Sequence, residues 1–190
     1  MSKGRLEAFS DAVIAILITI MVLELRPPPD SALESLLPLT PRFLAYVLSF
    51  AFLAIYWNNH HHLFQAVDRV NGVTLWANMH LLFWLSLVPF ATAWLGEHGV
   101  ATMPVALYGA VLIAAATAYY MLVRALMALH GQGSTLSRAI GDDYKGKVSI
   151  VIYALALAAA FVVPLISVLL YVLVAAIWMV PDRRFEEDRP

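Results

Sequence analysis

The stretch Arg5–Leu25, RLEAFSDAVIAILITIMVLEL, constrains this chain more than any other. It contains an uncharged run of 12 residues, Ala12–Leu23, with Glu7 and Asp11 before it and Glu24 after it. Such a run reads as a membrane-crossing helix. An ionisable group at its edge is costly unless it faces protein or water, so Asp11 marks a surface that does more than anchor the chain in lipid. At 100° per residue, Phe9, Ile16, Ile20 and Leu23 fall in one narrow arc, with Ala12 and Thr19 on its shoulder and Ser10 and Asp11 well away from it. Periodicity leaves two readings open: a bundle helix whose polar groups are satisfied by neighbours, or a helix whose apolar stripe faces something functional.

Composition sets the class. Of the 190 residues 62% are hydrophobic and 13% charged, with a mean hydropathy of +0.77. Soluble domains carry roughly 25% charged residues, so this is a membrane protein. A net charge of −1 argues against nucleic-acid binding, and the absence of cysteine excludes disulfides, thiolate metal sites and cysteine nucleophiles. The first apolar segment carries Asp11 and Glu24 and lacks a small-x-small cleavage site, so it is expected to remain in the mature chain.

The apolar runs predict an all-α membrane protein with six transmembrane helices in one domain, 1–190, and no re-entrant pore loop. The spans fall at about 6–25, 42–60, 73–95, 103–124, 148–163 and 165–180. Pro27-Pro28-Pro29 ends the first helix, and Pro89 should kink the third. Asp30–Thr40 reads as a polar loop with a helical turn at SALESLL, and Asp68–Asn71 and Gly96–Gly99 read as turns. Asn58–Val67 is polar enough to protrude or to face the bundle interior. Ala128–Lys147 reads as a solvated connection. The block Val148–Val180 is 33 residues long, whereas about 20 cross a hydrocarbon core, so it divides at Pro164. One bent helix there would give five spans. Charge supports six. Lys3, Arg5, Arg69, Arg124, Arg138, Lys145, Lys147, Arg183, Arg184 and Arg189 fall on one side, 10 basic residues against Arg26 and Arg42 on the other. Under the positive-inside rule both termini are cytoplasmic.

The chemistry is sparse. His60-His61-His62, with His80, invites a metal reading. Consecutive helical residues diverge by 100°, however, and shared ligands favour i,i+3 or i,i+4 spacing, so no metal site is expected. Interior hydrogen bonding, with Asp11 as one partner, suits these histidines better. No Walker loop, GxSxG, HExxH or GxGxxG is present, so the chain is not expected to be an enzyme and no cofactor is implied. A TVGYG filter is also absent, so an ion path would have to be lined by helix side chains.

Arg5 followed by Phe9-Ser10-Asp11 and Ala12-Val13-x-Ala15-Ile16-x-x-Thr19 resembles the signature of the transmembrane protein 175 family, endolysosomal potassium channels and their prokaryotic relatives. Trp57-x-x-His60-His61-x-Leu63-Phe64 continues the likeness, as do Asn78, Leu81 and Pro89-Phe90, over about the first half of the chain. Animal members carry two six-helix units. A single FSD motif resembles the prokaryotic form, a homotetramer.

The resemblance implies a potassium-permeable pore on the tetramer axis, lined by four copies of the first helix, in a prokaryotic plasma membrane. Pore constrictions map onto Ile16, Ile20 and Leu23, and Thr19 onto selectivity. The resemblance also implies a polar network around Arg5, Phe9, Ser10 and Asp11, with His60, His61, Asn78 and His80 as candidate partners. Its permeant species are K+ and other monovalent cations, and its surroundings membrane lipid. Each residue also has a simpler role available: a packing seam for the stripe, and a bond from Thr19 back to its own helix. A secondary transporter or a proton-conducting protein using the Asp/His groups is the alternative function. The absence of an internal repeat and of a Gly/Pro break in the first helix weighs against the transporter.

Overall fold

The computed structural model describes residues 2–131, 134, 136 and 144–179. Among the described residues the α-helices run in the order α1 Lys3–Leu23, α2 Thr40–Gln65, α3 Gly72–Ser86, α4 Val88–His98, α5 Thr102–His130, α6 Tyr144–Ala159 and α7 Pro164–Met179. A 3-10 helix, Leu33–Leu39, leads into α2. No strand occurs among the described residues. Among the described residues, four segments are long and apolar enough to cross a membrane: α1, the 3-10 helix with α2, α3 with α4, and α5. Arg138, Arg183, Arg184, Arg189 and the last residue of the expected final span lie outside the described residues.

The helix ends differ from expectation for local reasons. α1 stops at Leu23 rather than near Leu25, because Glu24 N–H bonds to Met21 O and Leu25 N–H to Val22 O, closing the last turn tightly before the prolines. Asp30 accepts from the Ser35 hydroxyl and the Ala32 N–H, and these bonds hold its carboxyl below the usual range. α2 begins at Thr40 with Pro41 in its first turn and continues through the histidines to Gln65, so Asn58–Gln65 is helix, with His60 turned inward. Pro89 breaks the third segment outright: it lacks an N–H and would clash with the carbonyl four residues back, so α3 ends at Ser86 and α4 restarts at Val88. Gly96 stays helical, and the turn comes at Gly99, whose φ is +61°. α5 overruns its expected end and stops before Gly131, at φ +80°; residues 132–133, 135 and 137–143 of the expected connection Ala128–Lys147 lie outside the described residues. α6 begins at Tyr144, ahead of the expected 148, and ends at Ala159. Ala160–Val163 then leave the helix, and Pro164 takes the first position of α7, where a missing N–H costs nothing.

α1 packs against α2, α3 and α4, while α5 runs through the middle of the bundle, touching α3, α4, α6 and α7. Lipid offers helices no hydrophobic drive to associate, so close packing and buried hydrogen bonds must hold them. Both are present. Tyr171 Oη donates to Val105 O (3.1 Å) and Ser167 Oγ to Ala156 O (2.6 Å). Ser49 Oγ lies 2.8 Å from Tyr108 Oη and 2.6 Å from Thr92 Oγ1, joining α2, α4 and α5. Gly109 makes room for Tyr171, since a Cβ there would overlap its hydroxyl. Gly109→Ala should therefore lower stability by about 1–3 kcal/mol, the usual cost of overpacking. Adding Tyr171→Phe should recover part of that loss rather than add to it. Thermal unfolding of the three variants in detergent measures both effects.

Candidate functional site

α1 has two faces. Leu6, Ser10, Ile14, Leu17 and Met21 are buried against α2–α4. On the opposite side Ile16 is 55% exposed, Ile20 42% and Leu23 75%, and Phe9, Ala12 and Thr19 are exposed with them. Among the described residues, nothing else covers this stripe. Thr19 Oγ1 donates within its own helix, 2.9 Å from Ile16 O and 3.2 Å from Ala15 O. Its proton is thereby used, and its oxygen retains acceptor capacity toward the open side.

A chain of hydrogen bonds sets the rotation of α1. His60 Nε2 lies 2.8 Å from Asn78 Oδ1, Asn78 Nδ2 donates to Ser10 Oγ (2.9 Å), and Ser10 Oγ donates to Leu6 O (2.9 Å). All three side chains are fully buried. Because the Asn78 oxygen can only accept, His60 must carry its proton on Nε2. Its Nδ1 is buried without a partner among the described residues, and its ring stacks on Phe64 at 4.4 Å. The chain links α2, α3 and α1 at one level.

Asp11 is not part of that chain and does not meet a histidine. It accepts from Trp57 Nε1 at 3.0 Å, because a half-buried carboxylate on the flank of α1 faces α2 one turn before His60. Trp57 in turn stacks on His61, with centroids 5.9 Å apart. His61 Nδ1 stands 3.3 Å from Glu7 Oε1, and its Nε2 is 2.8 Å from Gln65 Nε2. His80 accepts from Trp84 Nε1 on its own helix (2.9 Å), so it serves α3 locally. Arg5 is exposed beside Phe9 and Trp76 in a shallow groove and forms no hydrogen bond or ion pair among the described residues. The expected network is thus two separate devices, Ser10–Asn78–His60 inside and Glu7–His61–Trp57–Asp11 on the flank, with Arg5, Phe9 and His80 apart. Among the described residues, no three His, Asp or Glu side chains could hold one metal ion.

Trp57, Glu7 and Lys3 were not singled out as site residues by the sequence. Lys3 Nζ donates to Val67 O (2.8 Å) and fastens the start of α1 to the end of α2. Trp57 had a signal, its place four residues before His61, which brings the two rings together on one helix face.

A protein of Chryseobacterium sp. (strain P1-3), named as a potassium channel, is 54% identical over 188 residues, covering 99% of this chain and 98% of its own. The family model described as the endosomal/lysosomal potassium channel TMEM175 matches residues 5–89. The chain belongs to the TMEM175 family. A crystal structure of a lysosomal potassium-selective channel TMEM175 homologue from Chamaesiphon minutus shares the fold, with a TM-score of 0.80 and 33% identity over 93% of this chain and 96% of that one. The zebrafish endosomal/lysosomal proton channel TMEM175 is 27% identical over 135 residues, 68% of this chain and 25% of its own. In this TMEM175 chain the matched region ends at Pro89, so it takes in α1, α2, α3 and both polar devices.

Replacing Asn78 by Leu removes the centre of the inner chain, leaves His60 Nε2 unpaired and leaves Ser10 Oγ with only its bond to Leu6 O. The expected loss is about 1–3 kcal/mol, on the order of one buried group left unpaired. Ser10→Ala in the Asn78→Leu background should cost much less than in the native chain, since the bond it breaks is already gone. Chemical or thermal unfolding of the four proteins checks this.

Proposed function

We propose that this chain is a potassium-permeable cation channel, modestly selective for K+ over Na+, whose homotetrameric pore is lined by α1. The observation that carries the reading is the exposed stripe Ile16–Thr19–Ile20–Leu23 on a helix whose other face is packed into the bundle. The names of the bacterial relatives and of the structural homologue support potassium as the permeant ion. Four copies of the stripe around an axis would form rings of branched aliphatic side chains, which close by dewetting and conduct when widened enough to hold water. Potassium sheds its hydration more cheaply than sodium, so a tight apolar ring favours it without a binding cage. The Thr19 oxygens, whose protons are engaged by the backbone, are oriented to accept from the ion side and offer partial recoordination beside the ring.

In this reading all six segments cross the bilayer of a prokaryotic plasma membrane, with both termini cytoplasmic, and no cofactor is needed. α6 and α7, at 16 residues each, reach only about 24 Å against a core of about 30 Å. Local thinning and interfacial anchors make up the difference, and Lys145 lying over the Trp178 ring, 5.9 Å from its centroid, is such an anchor. Proton permeation is the second reading, supported by the name of the zebrafish relative. A transporter is less well supported, since α1 is an unbroken helix of 21 residues.

Bi-ionic reversal potentials from purified protein in planar bilayers test the proposal. Native currents should reverse toward the potassium potential, and Ile16→Asn should bring the reversal toward zero by admitting sodium. A pH gradient that moves the native reversal potential would favour protons instead. No passive current from the native protein would defeat the channel reading.

A further inference from the structure

A cleft of about 200 Å³ opens between the end of α1 with the residues just after it, the first turns of α2, and a face of α4 that runs from Pro89 to Glu97. Its charged lining is Glu24, Arg26, Arg42 and Glu97, over a floor that includes Met21 and Tyr46. Two carboxylates face two guanidiniums, yet they are poorly matched to one another. Arg42 Nη2 and Glu97 Oε1 stand 3.5 Å apart, a long contact between half-exposed groups. The side chains of Glu24 and Arg26 make no hydrogen bond or ion pair among the described residues. The site cannot tighten by closing α4 further onto α2, because Gly96 already meets Arg42: a Cβ on Gly96 would stand 2.8 Å from Arg42 Cα.

In the proposed reading, on which this inference rests, these helices cross the bilayer; the charged rim of the cleft, Glu24, Arg26, Arg42 and Glu97, then lies at headgroup level, where charged side chains meet lipid rather than bulk water alone. We propose that it binds the headgroup of phosphatidylethanolamine. A purely anionic headgroup would pair with the arginines and face two uncompensated carboxylates; a purely cationic ligand would meet the reverse. A zwitterion satisfies both. Its phosphodiester takes Arg26 and the remaining donors of Arg42, while its primary ammonium donates to Glu24. Arg42 thus stays shared between Glu97 and the phosphate, as a guanidinium with five N–H donors can be. The acyl chains run down the outside of the bundle, and the small volume accepts only the headgroup.

The test uses the full chain, purified in detergent and offered equal amounts of phosphatidylethanolamine, phosphatidylcholine and phosphatidylglycerol, with retained lipid counted by native mass spectrometry. Phosphatidylcholine keeps the phosphate and the positive charge but has no N–H donor; phosphatidylglycerol keeps the phosphate and has no cation. Retention of phosphatidylethanolamine should exceed that of either by about tenfold, on the order of one charge-assisted hydrogen bond. Glu24→Gln should abolish this preference, and Arg26→Gln should lower retention of all three lipids. Both side chains are exposed, and the comparison of lipids on the unaltered chain needs no variant. Equal retention of the three lipids, a preference for phosphatidylglycerol, or a preference unchanged by Glu24→Gln would overturn the proposal.

Discussion

The hydrogen-bond chain from His60 through Asn78 and Ser10 to Leu6 O is the constraint on which the orientation of α1 and its exposed face depends. In a bilayer an apolar helix can rotate about its axis with little change in burial, because lipid and protein interior are similarly apolar. A polar group that must be satisfied removes that freedom. With Ser10 held against α3, Leu23 lies about 140° from it around the axis, Ile16 about 120° and Ile20 about 80°, all outside the arc of about 40° on either side of Ser10 that holds Leu6, Ile14, Leu17 and Met21. Thr19, at about 180°, lies directly opposite. The inner chain therefore decides which residues of α1 are exposed, without touching any of them.

The flank device adds a second restraint of a different kind. Trp57 holds Asp11 while stacking on His61, and His61 reaches Glu7. These groups are partly exposed, so each contact is weaker than a buried one. Their geometry still ties the first half of α1 to the end of α2 over more than one turn. Deeper in the bundle the same logic recurs: Ser49, Thr92 and Tyr108 join three helices, and Tyr171 reaches Val105 past Gly109. Hydroxyls and small residues supply the cohesion that hydrophobic burial supplies in water.

Much of the fold was readable in the sequence because bilayers impose simple rules. Apolar runs located the helices, and Pro89 and Pro164 located the breaks, since a missing N–H acts whatever the tertiary context. The α1 stripe was readable for a similar reason: branched aliphatic residues recur with a period near 3.6, and the buried face alternates with them. Helix ends were harder. α2 and α5 run on through histidines and a glutamine that hydropathy counts as loop, because outside the hydrocarbon such residues are helical when their backbone is already paired. Pairing between polar groups was not readable. Asp11, His60 and His61 were all recognised as candidates, but which of them meets Asn78 or Trp57 depends on the azimuth of each helix, which no local pattern encodes. Ser49 and Thr92 gave no signal at all, being single hydroxyls in apolar segments.

The central claim is that the exposed face of α1 lines a water-filled path. The chain has no cysteine, so single cysteines can be placed along α1 without removing any. The most direct measurement is modification of each by a charged, membrane-impermeant thiol reagent while passive potassium flux is followed. The account predicts that cysteines at Ile16, Thr19, Ile20 and Leu23 react during flux and change it, whereas those at Ile14, Leu17 and Met21 stay protected. Protection along the whole stripe would mean that it faces lipid or another helix, and would contradict the account.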